Sequence, residues 1–399
     1  MDSLIPFDYA TLRVLWWLLL GALLIGFAVM DGFDLGVAAL LPLVAKTDVE
    51  RRVVLNVVGP VWEGNQVWLI TAGGAIFAAW PLLYAASFSG FYLAMMLVLI
   101  ALILRPVGFK YRSKMEGTRW RSRWDAVLCF CGVVAALVFG VAMGNIILGV
   151  PFGFDAATLR PEYEGHFYQL FKPFALLAGL VSVAMMVMHG GVLLAWRTHD
   201  PVSSRARNWG RLAALATAAL FVAGGFWVAY GLDGHVITSA VDMHAPSNPM
   251  LKTVELQAGG WMANYEKWPL TWIAPALGVG GALLAFVLLS ARANVLAFLA
   301  SSVSIAGIIL TVGFALFPFI MPSSSRPGAG LTVWDGSSSL LTLWIMLLAV
   351  AFFLPIITVY TAWVYRVMRG KVTEDSGGRH AQLVLIRSQS CGISLGFLA

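Results

Sequence analysis

Long apolar stretches, separated by short polar connections, run through almost the whole chain. A helix of about 18 or more apolar residues can cross a hydrocarbon core about 30 Å thick, because each residue adds about 1.5 Å. We predict nine such helices, at residues 11–44, 54–79, 86–108, 126–149, 167–196, 211–230, 269–290, 295–320 and 338–365. The pattern therefore predicts an all-α polytopic membrane protein.

Composition and charge support this prediction and give it an orientation. Hydrophobic residues make up 60% of the chain and charged residues only 12%, whereas soluble domains carry about 25% charged residues. With the N-terminus outside, 20 of the 26 Lys and Arg residues fall in cytoplasmic segments and 6 in outer segments. Because cytoplasmic loops are enriched in Lys and Arg, we predict a periplasmic N-terminus and a cytoplasmic C-terminus. We predict that the outer connection at residues 231–268 forms an ordered cap. Its length would permit a function or the docking of a partner, and a plain surface excursion is the alternative.

The remaining charge and ligand patterns narrow the function. The net charge of +6 is scattered over short loops without a groove-reading motif, so we predict no nucleic-acid partner. Cys129 and Cys131 are two residues apart on a helix and point to opposite sides. Only His189 lies well inside a predicted membrane helix, and one histidine supplies no pair of axial haem ligands. We therefore predict no metal site and no haem ligand in this chain.

Three carboxylates lie inside otherwise apolar stretches. A charged side chain at membrane depth costs about 2.5–3.5 kcal/mol even on lenient scales, so it normally has a polar partner, a water file or a proton to carry. Asp31 and Asp34 are three residues apart and should share one face of the first helix, toward its cytoplasmic part. Glu63 should lie roughly 14 Å inside the second helix. A structural hydrogen bond would explain any one of them, but three together favour a proton path.

Polar and aromatic neighbours complete this candidate path. Arg105 should close the third helix on the cytoplasmic side and act as a charge partner. The residues that should give Glu63 polar company with little bulk water are Trp62, Asn65, Gln66 and Trp68. We predict a hydrated line from the cytoplasm through the aspartates to Glu63, which would act as a proton carrier. The same groups could instead form the midplane cation site of a secondary transporter, although no inverted repeat is evident.

Six motifs are similar to one known family. They are Gly-Phe-Ala-Val-Met-Asp-Gly-Phe-Asp-Leu-Gly at 26–36, Trp-Glu-Gly-Asn-Gln-Val-Trp-Leu at 62–69, Phe-Ser-Gly-Phe-Tyr at 88–92, Arg-Pro-Val-Gly-Phe at 105–109, Phe-Pro-Phe-Ile-Met-Pro-Ser-Ser at 317–324 and Leu-Thr-Val-Trp-Asp at 331–335. The chain resembles subunit II of cytochrome bd-type quinol oxidases, including the cyanide-insensitive branch. Glu63 stands where that family has an aspartate, which keeps the acid and lengthens its reach. We interpret residues 1–375 as the membrane domain and residues 376–399 as an atypical cytoplasmic tail.

This resemblance implies a role within a larger complex. The family's subunit II pairs in the bacterial inner membrane with a subunit I that holds two haems b, haem d and the quinol site. It binds no haem, folds as two four-helix bundles plus one extra helix, and is often joined by a small single-helix subunit and membrane lipid. The resemblance implies that this chain supports subunit I and brings cytoplasmic protons through Asp31, Asp34, Glu63 and Arg105 to oxygen reduction, without a complete active site of its own.

Overall fold

The computed structural model describes residues 5–372 of the chain. Within this range the backbone is mainly helical, and three two-stranded antiparallel sheets lie in the connections between helices. The predicted helical fold class is therefore confirmed. The tail predicted at residues 376–399 lies outside the described residues.

The elements follow one another in a simple order along the described range. The helices are α1 (Tyr9–Met30), α2 (Gly32–Val44), α3 (Asp48–Val58), α4 (Trp62–Ala79), α5 (Pro81–Gly90), α6 (Tyr92–Tyr111), α7 (Thr118–Leu148), α8 (Pro173–Arg197), α9 (Val202–Gly231), α10 (Ala263–Lys267), α11 (Ile273–Ser290), α12 (Asn294–Leu316) and α13 (Leu340–Val367). The strands are β1 (Phe152–Phe154), β2 (Pro161–Tyr163), β3 (Asp233–Ile237), β4 (Val254–Ala258), β5 (Phe319–Met321) and β6 (Leu331–Thr332). Each strand pairs with its neighbour in the chain.

Eight helical segments of the described range are long and apolar enough to cross a membrane. Helices α1 and α2 form one of them, a 36-residue segment from Tyr9 to Val44. The others are α6, α7, α8, α9, α11 with its preceding turn, α12 and α13. A polytopic membrane protein is thus confirmed, with eight candidate spans where the sequence predicts nine.

Several of the predicted helices are divided or shortened, among them the one predicted at 167–196, which begins only at Pro173 as α8. The helix predicted at 54–79 is wrong as one element, because α3 ends at Val58 and α4 begins at Trp62. Pro60 lies in the intervening turn and has no amide hydrogen to donate to a helical hydrogen bond, so the regular bonding of α3 does not continue through it. The helix predicted at 295–320 likewise ends at Leu316, before Pro318. The helix predicted at 86–108 is interrupted at Phe91, which separates α5 from α6.

Helix α2 runs through the centre of the described chain. All residues from Gly32 to Leu41 are buried, so neighbouring helices enclose this segment on every side. The enclosure depends on glycine: a Cβ at Gly36 would lie 1.9 Å from the carbonyl oxygen of Met186 in α8. A Cβ at Gly132 in α7 would lie 2.4 Å from the carbonyl oxygen of Leu35. Small residues allow this close backbone approach between membrane helices.

The connections predicted to lie outside fold into one cap at the same end of the bundle. The hairpin β3–β4 is tied to the segment before α13 by the Lys252 ammonium, which lies 2.7 Å from a carboxylate oxygen of Asp335. The His235 imidazole Nε2 donates to the carbonyl oxygen of Ser323, at 2.9 Å. Burial lowers the pKa of Lys252, and the adjacent Asp335 opposes that shift. The cap is therefore an ordered unit, as predicted for residues 231–268.

Arg13 joins α1 and the segment before α13 to this cap. Its side chain is fully buried and its guanidinium carbon lies 3.5 Å from the ring centroid of Tyr9. The guanidinium Nε donates to the Ser337 hydroxyl at 2.7 Å, and Nη1 donates to the carbonyl oxygen of Met243 at 2.7 Å. Arg13 therefore connects α1, the β3–β4 connection and the segment that leads into α13.

We expect Gly36→Ala to destabilise the protein, because the added methyl group would overlap the Met186 carbonyl and force α2 and α8 apart. Overpacking of this kind costs about 1–3 kcal/mol. Thermal unfolding of the detergent-solubilised protein measures the loss. Gly225→Ala in α9 is the matched control, since a Cβ there meets nothing within 4 Å. Equal melting temperatures for the two variants would contradict the proposed helix contact.

A buried carboxylate and arginine cluster

Asp31 and Asp34 lie where α1 meets α2. Asp31 keeps helical backbone angles, with φ −86° and ψ −20°. Its amide donates to the Phe27 carbonyl at 2.8 Å, and its own carbonyl accepts from the Leu35 amide at 3.0 Å. The helical path therefore continues, and the spacing of three residues brings both carboxylates to one side. Both side chains have 0% exposure, so the predicted buried pair is confirmed.

Arg105 neutralises the first of these carboxylates. Its guanidinium Nη2 donates to Asp31 Oδ1 at 2.8 Å, and both side chains are 0% exposed. The same nitrogen donates to Gln66 Oε1 at 3.3 Å, and the guanidinium carbon lies 5.5 Å from the Trp62 ring centroid. The prediction that Arg105 closes its helix is wrong, because α6 continues through Pro106 to Tyr111. Arg105 is nevertheless the charge partner that the sequence indicates.

Asp34 has a different set of partners. Its Oδ2 accepts from the Asn65 side-chain amide at 2.8 Å, and the Asn65 amide oxygen accepts from the Tyr365 hydroxyl at 2.7 Å. Asn65 is 2% exposed. Tyr365 lies near the end of α13 and is the member that sequence reasoning missed. A tyrosine near a membrane helix end usually signals interfacial anchoring, so nothing in its local pattern distinguishes it.

The charges and hydrogen bonds of this cluster are incompletely balanced. It combines two carboxyl groups with one guanidinium, so one proton on a carboxyl group would make it neutral. Within the described residues, Asp31 Oδ2, Asp34 Oδ1 and the Arg105 Nε and Nη1 atoms have no hydrogen-bond partner. Buried polar atoms without partners are costly. The arrangement is therefore chemically suited to accept water or a proton.

Glu63 lies outside the cluster. It is in the first turn of α4, and its side chain is exposed on the surface of the described chain. The predicted position deep inside a longer helix is wrong, because the chain turns before Trp62. Asn65, two residues later in the same turn, is buried and donates to Asp34, so Glu63 lies at a similar level on the exposed part of α4. Trp68 packs on α1, where a Cβ at Gly26 would lie 2.5 Å from its indole ring.

A second ionic cluster lies beyond the C-terminal end of α6. Arg112 is 1% exposed and donates to Asp48 at 2.8 Å and to Asp125 at 3.1 Å, and Arg121 donates to Asp48 at 2.7 Å. Partial burial raises the pKa of Asp48, but the bonds and charges of Arg112 and Arg121 outweigh it and hold that pKa below its ordinary value. These arginines, which the sequence indicates as topology charges, also bind α3, α6 and α7 together.

His189 is a packing residue by its contacts. Its Nδ1 lies 2.7 Å from the Ser301 hydroxyl and its Nε2 lies 3.0 Å from the Val29 carbonyl oxygen. The imidazole stacks on Phe298, with ring centroids 4.6 Å apart. Both ring nitrogens are thus engaged, which does not fit a haem ligand. Within residues 5–372 no group of three or more His, Cys, Asp or Glu side chains could hold a metal ion.

Known proteins provide an independent comparison. The chain is 51% identical over 368 residues to cytochrome bd-I ubiquinol oxidase subunit 2 of Escherichia coli K12. The aligned region covers 92% of this chain and 97% of that protein. It is 49% identical to the probable cytochrome oxidase subunit 2 of Haemophilus influenzae, over 92% of this chain and 96% of that protein. It is 29% identical to cytochrome bd ubiquinol oxidase subunit 2 of Bacillus subtilis, over 91% and 98%.

Fold comparison and a family profile agree with these relatives. A chain from the solved structure of bd oxidase from Geobacillus thermodenitrificans superimposes with a TM-score of 0.65, at 16% identity, over 90% of this chain and 98% of that one. This likeness supports a shared fold. The profile described as cytochrome bd terminal oxidase subunit II matches residues 12–368. The chain therefore belongs to the cytochrome bd terminal oxidase subunit II family, as the motifs predict.

Proposed function

We propose that this chain is the haem-free subunit II of a cytochrome bd-type quinol oxidase, which transfers electrons from quinol to oxygen in aerobic respiration. The family match over residues 12–368 carries this proposal. In this role the chain supports subunit I and supplies a cytoplasmic proton route for the reduction of oxygen to water. The chain is then part of an enzyme without containing a complete active site.

The proposed partner, subunit I, holds two haems b, haem d and the quinol site. The engaged nitrogens of His189 support this division of labour, because they leave no haem ligand on that residue. A small single-helix subunit and membrane lipid complete the proposed assembly in the bacterial inner membrane. Nucleic acid has no part in it.

The proposed topology keeps nine spans, arranged as two four-helix bundles and one extra helix. Helix α4 supplies the ninth span, since its 18 residues cover about 27 Å at 1.5 Å per residue. The charge asymmetry supports a periplasmic N-terminus and a cytoplasmic C-terminus. Residues 1–375 form the proposed membrane domain, and residues 376–399 are a cytoplasmic tail.

The proposed proton route begins with the cluster of Asp31, Asp34 and Arg105. Arg105 lies six residues before the inner end of α6, or about 9 Å along the helix, which supports access from the cytoplasmic side. Glu63 lies at a similar level on the outer side of α4, where a carboxylate at membrane depth requires a polar partner or water. We place Glu63 at the transfer of protons to subunit I, with Trp62, Asn65, Gln66 and Trp68 supporting α4 around it.

A secondary transporter coupled to the same carboxylates is the alternative function. The family profile and the relatives, all named as oxidase subunits, give it no support. Unpaired membrane carboxylates alone do not distinguish a carrier from an oxidase subunit, because both move protons. The oxidase assignment therefore rests on family membership, and the cluster explains how this subunit takes part.

A complex purified from membranes through a tag on this chain should show reduced-haem absorbance, because subunit I accompanies it. His189→Gln should leave that spectrum unchanged at equal protein, since both imidazole nitrogens already bond within the chain. Visible spectra of the reduced complexes measure both results. A colourless wild-type complex would exclude the proposed partner, and loss of one haem band in the variant would make His189 a ligand.

Arg105→Ala should reduce assembly or turnover far more than Arg119→Ala. The first substitution leaves the Asp31 carboxylate buried without its cation, which costs about 3–5 kcal/mol, whereas the Arg119 side chain is exposed. Assembled complex is measured by haem content, and turnover by oxygen consumption with quinol. Equal activity per haem in the two variants would remove Arg105 from the proton route.

Glu63→Gln should assemble with normal haem content but consume oxygen roughly 10- to 100-fold more slowly, because the amide keeps the shape and cannot exchange a proton. Glu63→Asp, which restores the family's residue, is the matched control and should stay near full activity. Quinol-driven oxygen consumption per haem measures both variants. Unimpaired turnover of Glu63→Gln would show that Glu63 is only a hydrogen-bonding group.

A further inference from the structure

Tyr365 connects α13 to the carboxylate cluster through a hydrogen bond to Asn65. Most of α13 is exposed or only partly buried on the surface of the described chain, and Leu343 is its one fully buried residue. Tyr365 is partly buried, two residues before the helix ends, and its hydroxyl lies 2.7 Å from the Asn65 amide oxygen. A residue 300 positions away in the sequence therefore fixes one end of the Asn65 side chain.

The Asn65 amide has an acceptor at one end and donors at the other. When the Tyr365 hydroxyl donates to the amide oxygen, the amide nitrogen must face Asp34, and it donates to Asp34 Oδ2 at 2.8 Å. Asp34 Oδ2 accepts the hydrogen bond from the Asn65 amide nitrogen, so a proton on Oδ2 would compete with that bond for the same side of the oxygen. In this orientation a proton on Asp34 therefore belongs on Oδ1, the atom that has no partner among the described residues.

The opposite amide orientation is also compatible with Tyr365. A proton on Asp34 Oδ2 would donate to the amide oxygen, and the amide nitrogen would then donate to the tyrosine hydroxyl. A hydroxyl group can donate or accept, so Tyr365 satisfies Asn65 in both orientations. No covalent bond of Tyr365 or Asn65 changes, and the proton remains on Asp34 throughout.

We propose that Tyr365 is a positioning residue. Its 2.7 Å hydrogen bond holds the Asn65 amide in the orientation that matches the protonation state of Asp34. The inference rests on the proposed proton route and adds one more helix to it, α13. The titratable groups on the elements around Asp34 and Tyr365 include Asp31 on the same side of α1–α2, the exposed Glu63 in α4, Arg105 in α6, Cys131 in α7, His189 and Arg197 in α8, and Tyr365 itself. Arg105 pairs with Asp31, so Asn65 is the group that donates directly to Asp34.

Tyr365→Phe in the assembled, tagged complex tests this role. The variant keeps the ring and loses the hydroxyl, so the Asn65 amide is released at one end in both orientations. The loss weakens the ionised state more, because the hydrogen-bond chain from Tyr365 through Asn65 ends on a charge only when Asp34 is ionised. We expect normal haem content, turnover lower by roughly three- to tenfold, and an alkaline half-point of the turnover profile moved to higher pH by about 0.5–1 unit. Tyr360→Phe is the matched control, because that ring is on the same helix, 63% exposed, and outside the cluster.

Infrared difference spectra supply a readout that does not depend on turnover. The carboxyl band of Asp34 is identified as the band lost in Asp34→Asn, and it should change frequency in Tyr365→Phe but not in Tyr360→Phe. Asn65→Leu removes the intermediary, so adding Tyr365→Phe to it should produce no further change in the pH profile. An unchanged Asp34 band and pH profile in Tyr365→Phe, with normal haem content, would overturn the inference.

The two proposals fail in different ways. Full turnover of Asp34→Asn would end the proposed proton route, whatever Tyr365→Phe does. Slow turnover of Asp34→Asn, together with wild-type behaviour of Tyr365→Phe in every measurement, would end only the positioning role. If the Asn65→Leu complex loses haem, the infrared comparison of Tyr365→Phe with Tyr360→Phe decides the question by itself.

Discussion

The contact between Arg105 and Asp31 is the interaction on which the interior of this protein depends. Neither side chain is exposed, and an ion in such surroundings is stable only when its partner and hydrogen bonds are in place. The pair fixes α6 against the junction of α1 and α2, and Gln66 brings in α4 through the same guanidinium. A hydrophobic pair would join these helices at lower cost, so a charged pair at this position favours a role in moving charge.

The same centre explains why glycine occurs where α2 meets its neighbours. Asp31 and Asp34 can be removed from solvent only if α7 and α8 approach the α2 backbone closely. Gly36 and Gly132 permit this approach, since a Cβ at either position would lie within 2.4 Å of a carbonyl oxygen. Packing and chemistry are therefore linked, because the close contacts that stabilise the bundle also exclude water around the carboxylates.

Much of this arrangement could be predicted from sequence, but only where the signal is local. The three-residue spacing of Asp31 and Asp34 defines a helix face, and apolar length defines most of the membrane helices. The division of the 54–79 segment turns on Pro60 within an apolar run, and this turn decides which way Glu63 points. Tyr365 could not be found, because its partner Asn65 is 300 residues away and no periodicity records a contact between distant helices.

Arg13 has a consequence for how the chain reaches its final form during synthesis. Its partners include Met243 and Ser337, and the Lys252 ammonium is likewise joined to Asp335. The ribosome makes the first helix long before these later segments, so the Arg13 guanidinium must wait for most of the translation to finish. Closure of the cap therefore depends on segments that are synthesised late, and a chain terminated before Ser337 lacks a partner that the Arg13 guanidinium has in the folded protein.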